Sequence, residues 1–280
     1  SVISEWLQDN YLLSKGLAFL IMILSAFYLL QINSKHIVIK QRTYLPAFFY
    51  ILLTSSIISL QRINPAVFSA LIFVFIFDHI LSIYHKENAL DDIFKAGFYI
   101  ALASLFYAPS ILYFIALIFS IMTIRSFNIR ELFAAFFGVI TPLFFFFFYH
   151  YFINNDIQIS YKIFDLNLFT PVNQDNDSLL IYIFYGYGIL LFLSTSLYQI
   201  KTLPTQKINV RKYHGVFFWF NLVSVLTLVF IPCISAEIIY IAIIPITFQL
   251  AHYFTTSNGK FWPEFYFVLL LIIVALMQFY

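Results

Sequence analysis

The feature that most constrains this chain is a series of apolar runs, each close to the length that crosses a lipid bilayer. The densest part lies between Phe94 and Phe148, where two apolar segments meet at Ala108-Pro109 and a third follows a short basic turn. A helix needs about 20 apolar residues to cross a hydrocarbon layer roughly 30 Å thick. Repetition of such runs along the whole chain predicts a polytopic membrane protein.

The composition supports this class, because hydrophobic residues make up 62% of the chain and charged residues 10%. Soluble domains have about 45–50% and about 25%, respectively. We therefore expect an all-α transmembrane helix bundle that forms a single integral membrane domain over residues 1–280, with the lipid bilayer as its solvent. About ten spans are expected, near residues 16–32, 44–60, 66–84, 93–108, 110–124, 131–153, 179–200, 216–232, 236–256 and 262–280.

The distribution of basic residues predicts the orientation, because loops on the cytoplasmic side carry an excess of Lys and Arg. With alternating spans, Lys15, Arg62 and Lys162 lie on one side, and the remaining twelve of the 15 Lys and Arg residues lie on the other. The sequence therefore predicts that residues 1–15, the 154–178 loop and Tyr280 lie on the non-cytoplasmic side.

Two polar segments fall on that predicted outer side. The 154–178 segment is the longest polar stretch, carries four aspartates and is either a functional loop or a solvated acidic connector. The N-terminal segment carries Glu5 and Asp9 ahead of the first span. Because Ser1 is not a methionine, either an initiator Met has been removed or the chain begins internally, after a further helix.

Small side chains lie along one face of the fourth and sixth spans. Such faces let helix backbones approach closely in lipid, where apolar burial contributes little to helix association. We expect both faces to form helix–helix contacts within the bundle, with a homodimer interface as the alternative. The residues are Gly97, Ala101, Ser104 and Ala108 in the fourth span, and Ala134, Gly138 and Thr141 in the sixth.

Polar groups inside spans are candidates for function because their burial in lipid costs a few kcal/mol each. Asp78 and His79 lie near the predicted cytoplasmic end of the third span and point about 100° apart, so each needs a partner on another helix. They form either a proton relay or substrate contact, or a pair that reaches toward the headgroups. Asn221 in the eighth span is expected to form an interhelical hydrogen bond.

Several function classes are excluded by what the chain lacks. It contains no Walker loop, no GxGxxG fingerprint, no HExxH, no GxSxG and no Cys/His metal cluster, so neither a metal nor a cofactor is expected. The basic residues are scattered over loops, which argues against nucleic-acid binding. Any chemistry must therefore take place inside the bundle or at its outer mouth.

Two blocks carry a family resemblance: GFYIALASLFYAPS, and the RSFNIRE turn followed by a helix with small residues and a proline. Together with the YLPAFFYILLTSS and RINPAVFSALIFV segments, they resemble an uncharacterised family of bacterial multi-pass inner-membrane proteins, a domain of unknown function. The similarity covers residues 44–150 well and the later spans loosely. It implies the fold and a location in the bacterial inner membrane, and it supplies no catalytic residues.

Three function hypotheses remain. The first is a non-enzymatic subunit or scaffold of a cell-envelope complex, which would bind other membrane protein subunits. The second is an enzyme similar to the multi-pass glycosyltransferases that use polyprenyl-phosphate sugars; it would bind a polyprenyl lipid, with Glu5 or Asp9 as general base. The third is a transporter that uses Asp78, His79 and proline-kinked helices.

Overall fold

The computed structural model describes residues 11–41, 43–57, 61–126, 128–154, 179–230, 236–257, 259 and 261–279. Within these residues the chain forms ten α-helices and no strand, which confirms the expected all-α class. In chain order the helices are α1 Tyr11–His36, α2 Leu45–Thr54, α3 Pro65–Ser82, α4 Leu90–Phe106, α5 Tyr113–Ile124, α6 Ile129–Asn154, α7 Leu179–Thr202, α8 Ile208–Phe230, α9 Ile239–Thr256 and α10 Phe261–Phe279.

Seven of these helices, α1, α3 and α6 to α10, are long and apolar enough to cross a membrane. The expectation of about ten spans is therefore not confirmed. In the described residues, the predicted spans at 44–60, 93–108 and 110–124 contain α2, α4 and α5, which have 10, 17 and 12 residues and are too short to be counted with the seven. A 3-10 turn around Pro109 separates α4 from α5. α2 stops after 10 residues, where the hydroxyls of Ser55 and Ser56 bond the carbonyls of its last turn.

The helices meet at two ends of the bundle. At one end, which we call the Asp78 end, an ion pair between Lys35 and Asp78 joins the C-terminal turns of α1 and α3. At the same end His214 contacts His252, where α8 begins and α9 finishes. Lys86 and Arg125, which follow α3 and α5, also lie at this end.

The opposite end is joined by uncharged hydrogen bonds. The side-chain amide of Gln278, at the end of α10, donates to the carbonyl of Ser55 at the end of α2 over 2.5 Å. The hydroxyl of Ser14 near the start of α1 accepts from the backbone N–H of Ile63 over 3.1 Å. Successive described helices therefore run in opposite directions between the two ends.

Rings fill the centre of the bundle. Phe217 of α8 stacks on Phe248 of α9, with ring centroids 4.7 Å apart, and Phe77 of α3 contacts Phe220 of α8, also at 4.7 Å. All four rings are fully buried. Outward-facing apolar side chains such as Phe145, which is 63% exposed, cover the surface instead, as expected for helices in lipid.

α6 packs mainly against α4, through a close crossing at two glycines. A Cβ atom at Gly97 would overlap the carbonyl oxygen of Ala135, and one at Gly138 would overlap that of Phe94. The absence of side chains lets the two backbones touch. The other small residues of the predicted faces, Ala101, Ser104 and Ala108, are also buried, whereas Ala134 and Thr141 are half-buried.

Candidate functional site

Asp78 forms the centre of a charged cluster one turn before the C-terminus of α3. Lys35 of α1 places its ammonium 2.9 Å from both carboxylate oxygens, and Nε2 of His36 lies 2.8 Å from Oδ1. The hydroxyl of Tyr28 donates to Oδ2 over a longer 3.4 Å. The side chain of Asp78 is only 13% exposed, so its charge is balanced inside the protein rather than by solvent.

The end of α1 holds Lys35 and His36 in position through an unusual backbone turn. Ile37 has a φ of 51°, a left-handed conformation that is rare for a β-branched residue and costs about 1–3 kcal/mol. The turn is held by Asn33, whose carbonyl accepts from the N–H of Ile37 and whose side chain accepts from that of Ile39. Such strain is typical of sites where geometry matters more than stability.

A second charged cluster lies beside the first and centres on Asp92, in the first turn of α4. Nδ1 of His79 lies 3.1 Å from Oδ1 and Nζ of Lys86 lies 2.5 Å from Oδ2. Burial raises the pKa of Asp92, but the hydrogen bonds from Lys86 and His79 outweigh it, and the pKa is lowered. The carboxylate is therefore ionised at neutral pH.

Arg125 and Lys212 extend this polar layer to α5, α6 and α8. The Arg125 guanidinium donates to the carbonyls of Lys86 and Glu87 over 2.8 and 2.9 Å, and its Nε lies 3.3 Å from Glu131. The ammonium of Lys212 donates to the carbonyl of Ile124 at the end of α5. Cations thus satisfy carbonyls that helix and turn ends leave unpaired.

Two histidines lie deeper in the bundle. His214 of α8 and His252 of α9 are 1% and 2% exposed, and their ring centroids are 4.3 Å apart. Within the described part of the chain, no group forms a hydrogen bond with any of their ring nitrogens. Gln249 lies one turn before His252 and is fully buried. Its side-chain amide also forms no hydrogen bond within the described residues.

His36 links the Asp78 cluster to Tyr213 of α8. The rings of His36 and Tyr213 are 6.0 Å apart, and Tyr213 directly precedes His214 in α8. The Tyr213 hydroxyl is buried and has no hydrogen-bond partner among the described residues. Protonatable side chains therefore lie in two groups, which we together call the protonatable line: Asp78, His36 and Tyr213 at the end of the bundle, and His214 with His252 further inside. No described contact joins the side chains of Tyr213 and His214, because neighbouring residues on a helix point about 100° apart.

The structure places the predicted intramembrane residues at different sites. Asp78 faces α1, whereas the neighbouring His79 faces α4, where its ring also stacks on that of Tyr99. Asn221 is 1% exposed, and neither atom of its amide forms a hydrogen bond with the described residues, although the sequence predicted an interhelical bond.

Sequence reasoning missed His36, Asp92, His214 and Gln249. A signal was present for one pair: His214 and Asn221 are seven residues apart and therefore share a face of α8. In the described residues, no three His, Cys, Asp or Glu side chains converge as metal ligands do. Glu5, Asp9 and the predicted loop beyond Asn154 lie outside the described residues.

Seven helices able to cross a membrane, joined by a charged layer at one end, define a multi-pass α-helical membrane protein. Residues 5–280 match a family described as a family of unknown function (DUF6427), and the chain belongs to this family. The resemblance to an uncharacterised family is thereby confirmed. No curated protein and no solved structure matched the chain.

Proposed function

We propose that the protein is a proton-linked transporter of the bacterial inner membrane. The observation that carries this proposal is the protonatable line: Asp78, His36 and Tyr213 in contact at the end of the bundle, and His214 in contact with His252 further inside. Ionisable groups inside a membrane bundle are costly to keep, and they typically mark proton relays and substrate pathways.

The energetics of the two buried histidines support this proposal. Leaving a buried polar group unpaired costs about 1–3 kcal/mol, and total stabilities are about 5–15 kcal/mol. His214, His252 and Gln249 together present several such atoms. Because these unpaired atoms lower the stability of the bundle, we infer that they serve a function. Water or a polar solute between α8 and α9 would satisfy these groups and supply the proton path.

The predicted orientation would give this path a direction. Several basic residues gather at the Asp78 end, namely Lys35, Lys86, Arg125 and Lys212. The positive-inside rule would therefore direct this end to the cytoplasm. Protons would enter or leave through the Asp78 cluster, which lies at that end of the bundle.

The other two hypotheses stay predictions. A role as subunit or scaffold of an envelope complex depends on contacts with other proteins. The glycosyltransferase hypothesis depends on Glu5 and Asp9, which lie outside the described residues. The transporter proposal is preferred because it alone uses side chains that the described bundle brings together.

Proton flux through the purified protein tests the proposal. The full chain would be reconstituted into liposomes that contain the pH-sensitive dye pyranine, and an imposed potassium diffusion potential would drive protons. We expect faster acidification than in protein-free liposomes, and we expect Asp78→Asn to reduce the rate to the protein-free level. Equal rates with and without wild-type protein would overturn the proposal.

Asp91→Asn provides the matched control. Asp91 lies at the same end and undergoes the same chemical change. Among the described residues its ion pair is with Lys95, one turn later on the exposed surface of α4. Its loss removes a surface ion pair worth less than about 1 kcal/mol and leaves the line intact. If both variants reduced flux equally, a general loss of charge would explain the effect and the relay would be rejected.

A further inference from the structure

An open groove with a volume of about 560 Å³ runs between α7 and α10 on the outer surface of the bundle. We call it the α7–α10 groove. Exposed side chains such as Leu190 and Leu197 of α7 form one wall, and Trp262 and Phe265 of α10 form the other. The volume falls in the range of about 300–1,000 Å³ that is typical of small-molecule sites. Because its walls are mostly apolar, the groove suits a hydrocarbon chain.

The groove exists because α9 lies behind α7 and α10 and holds them apart. The ring centroid of Tyr253 in α9 lies 4.9 Å from that of Tyr198 in α7 and 6.2 Å from that of Tyr266 in α10. The hydroxyl of Tyr187 in α7 donates to the carbonyl of Tyr266 over 2.6 Å. Gly186 adds further space on the α7 wall, since a Cβ atom there would meet nothing within 4 Å. The groove is therefore a product of helix packing.

The length of the groove matches one leaflet of a bilayer. It follows α7 from Gly186 to Leu197, which is about 16 Å at 1.5 Å per residue. The hydrocarbon layer is roughly 30 Å thick, so one leaflet supplies about half of this. Trp262, in the first turn of α10, places the groove in the half nearest the Asp78 end. A lipid chain from that leaflet would fill the groove, whereas a membrane-spanning partner helix would need an apolar surface along the whole span.

A positive charge lies just beyond the Asp78 end of the groove. Lys201 follows Leu197 by four residues, so both share a face of α7, and it is exposed in the last turn of that helix. No ion pair or hydrogen bond in the described part of the chain involves its ammonium group. Glu264 lies two residues after Trp262 and therefore on the other side of α10. The ammonium of Lys201 is thus open to an anion.

We propose that the α7–α10 groove binds one acyl chain of an anionic phospholipid whose phosphate is bound by Lys201. Trp262 suits this end of the groove, because an indole combines an apolar ring with an N–H donor and is enriched where headgroups meet chains. Lys207 and Arg211, beside the start of α8, are exposed at the same end and add positive charge. Basic residues near the membrane surface favour anionic over zwitterionic lipids.

Two exposed glycines give a matched pair of variants. Gly186 lines the groove and Gly16 of α1 does not, and a Cβ atom at either position would meet nothing within 4 Å. Gly186→Leu therefore fills the groove without straining the backbone, and Gly16→Leu adds the same side chain elsewhere on the outer surface. Lys201→Gln removes the proposed phosphate ligand. Lys95→Gln removes the same charge from α4, which does not line the groove.

The experiment titrates the full chain in detergent micelles with palmitoyl-oleoyl phosphatidylglycerol and counts bound lipids by native mass spectrometry. Phosphatidylcholine with the same chains is the zwitterionic comparison. We expect the first phosphatidylglycerol to bind with a Kd about fivefold lower than that of phosphatidylcholine, which is the effect of one basic residue near the membrane surface. Lys201→Gln should remove this difference and Lys95→Gln should keep it. Gly186→Leu should abolish saturable binding of the first lipid, and Gly16→Leu should preserve it.

Three outcomes would contradict the proposal. Equal affinities of wild-type protein for the two lipids would mean that the headgroup charge is not recognised. Equal binding by the Gly186 and Gly16 variants would place the lipid outside the groove. A two-copy complex that only Gly186→Leu dissociates would assign the groove to a second copy of the chain. The experiment uses no proton gradient, so its outcome is independent of proton flux through the protonatable line.

Discussion

Replacing Gly138 by alanine tests the close crossing of α4 and α6. The new Cβ atom would overlap the carbonyl oxygen of Phe94, and it would lie 3.1 Å from the carbon of that carbonyl and 3.0 Å from the nitrogen of Phe98. These are main-chain atoms, which cannot rotate away as a flexible side chain can. The two helices must therefore move apart.

The size of the effect follows from two opposing contributions. Overpacking typically costs about 1–3 kcal/mol, and a separation of about 0.5–1 Å forfeits a quarter to a half of each van der Waals contact across the interface. Alanine in a helix recovers about 0.5–1 kcal/mol relative to glycine. Because two backbones collide, we take the upper part of the first range and expect a net loss of about 2 kcal/mol.

Thermal denaturation in mild detergent, followed by size-exclusion chromatography, measures this loss. At about 2–4 °C per kcal/mol, the midpoint should fall by about 4–8 °C. Gly186→Ala is the control, since its Cβ atom meets nothing within 4 Å and helix propensity should leave the midpoint unchanged or raised. If the two variants shifted the midpoint alike, the proposed contact between the backbones of α4 and α6 would be refuted.

Two further predictions concern single side chains, both measured by the same thermal midpoint. Asn64 caps α3 by accepting from the N–H of Val67 over 3.0 Å, so Asn64→Ala should cost about 1 kcal/mol; an equal loss in Asn64→Asp, which keeps the acceptor, would contradict the cap. Asp92→Asn should lower the midpoint at pH 7. Because the pKa of Asp92 is lowered on folding, its stabilisation is present above its ordinary pKa of about 3.9 and is lost as the pH falls through the lowered value. The difference from wild type should therefore shrink in acid, and a difference that grows there would contradict the ion pair.

The sequence could predict helices, because apolar length and composition are local properties. The break at Ala108-Pro109 was visible for the same reason, since proline interrupts backbone hydrogen bonding. Of the predicted small-residue face of α6, Gly138 lies against the backbone of α4, but the residue of α6 that meets Gly97 of α4 is Ala135, not Ala134. Ala135 is fully buried while Ala134 is half-buried, and a difference of one residue turns a helix face by about 100°.

The span count and the line of protonatable residues could not be predicted. A hydropathy profile does not show that α2 ends after 10 residues, where the hydroxyls of Ser55 and Ser56 bond carbonyls of its last turn. The contact between His214 and His252 depends on how α8 and α9 pack, which no pattern within either helix specifies. The contact of His36 with Asp78 could not be predicted for the same reason, because Asp78 lies 42 residues away on another helix.

The cations of the Asp78 end carry two tasks at once. Lys35, Arg125 and Lys212 belong to the excess of basic residues from which the orientation of the chain is predicted. In the finished protein the same three side chains bond Asp78, the carbonyls of the Lys86 turn and the last turn of α5. Exchanging one of them for a neutral residue would therefore weaken the topological signal and the fold together. We therefore expect that such a charge can move to another position only where a carbonyl or carboxylate there can bond it.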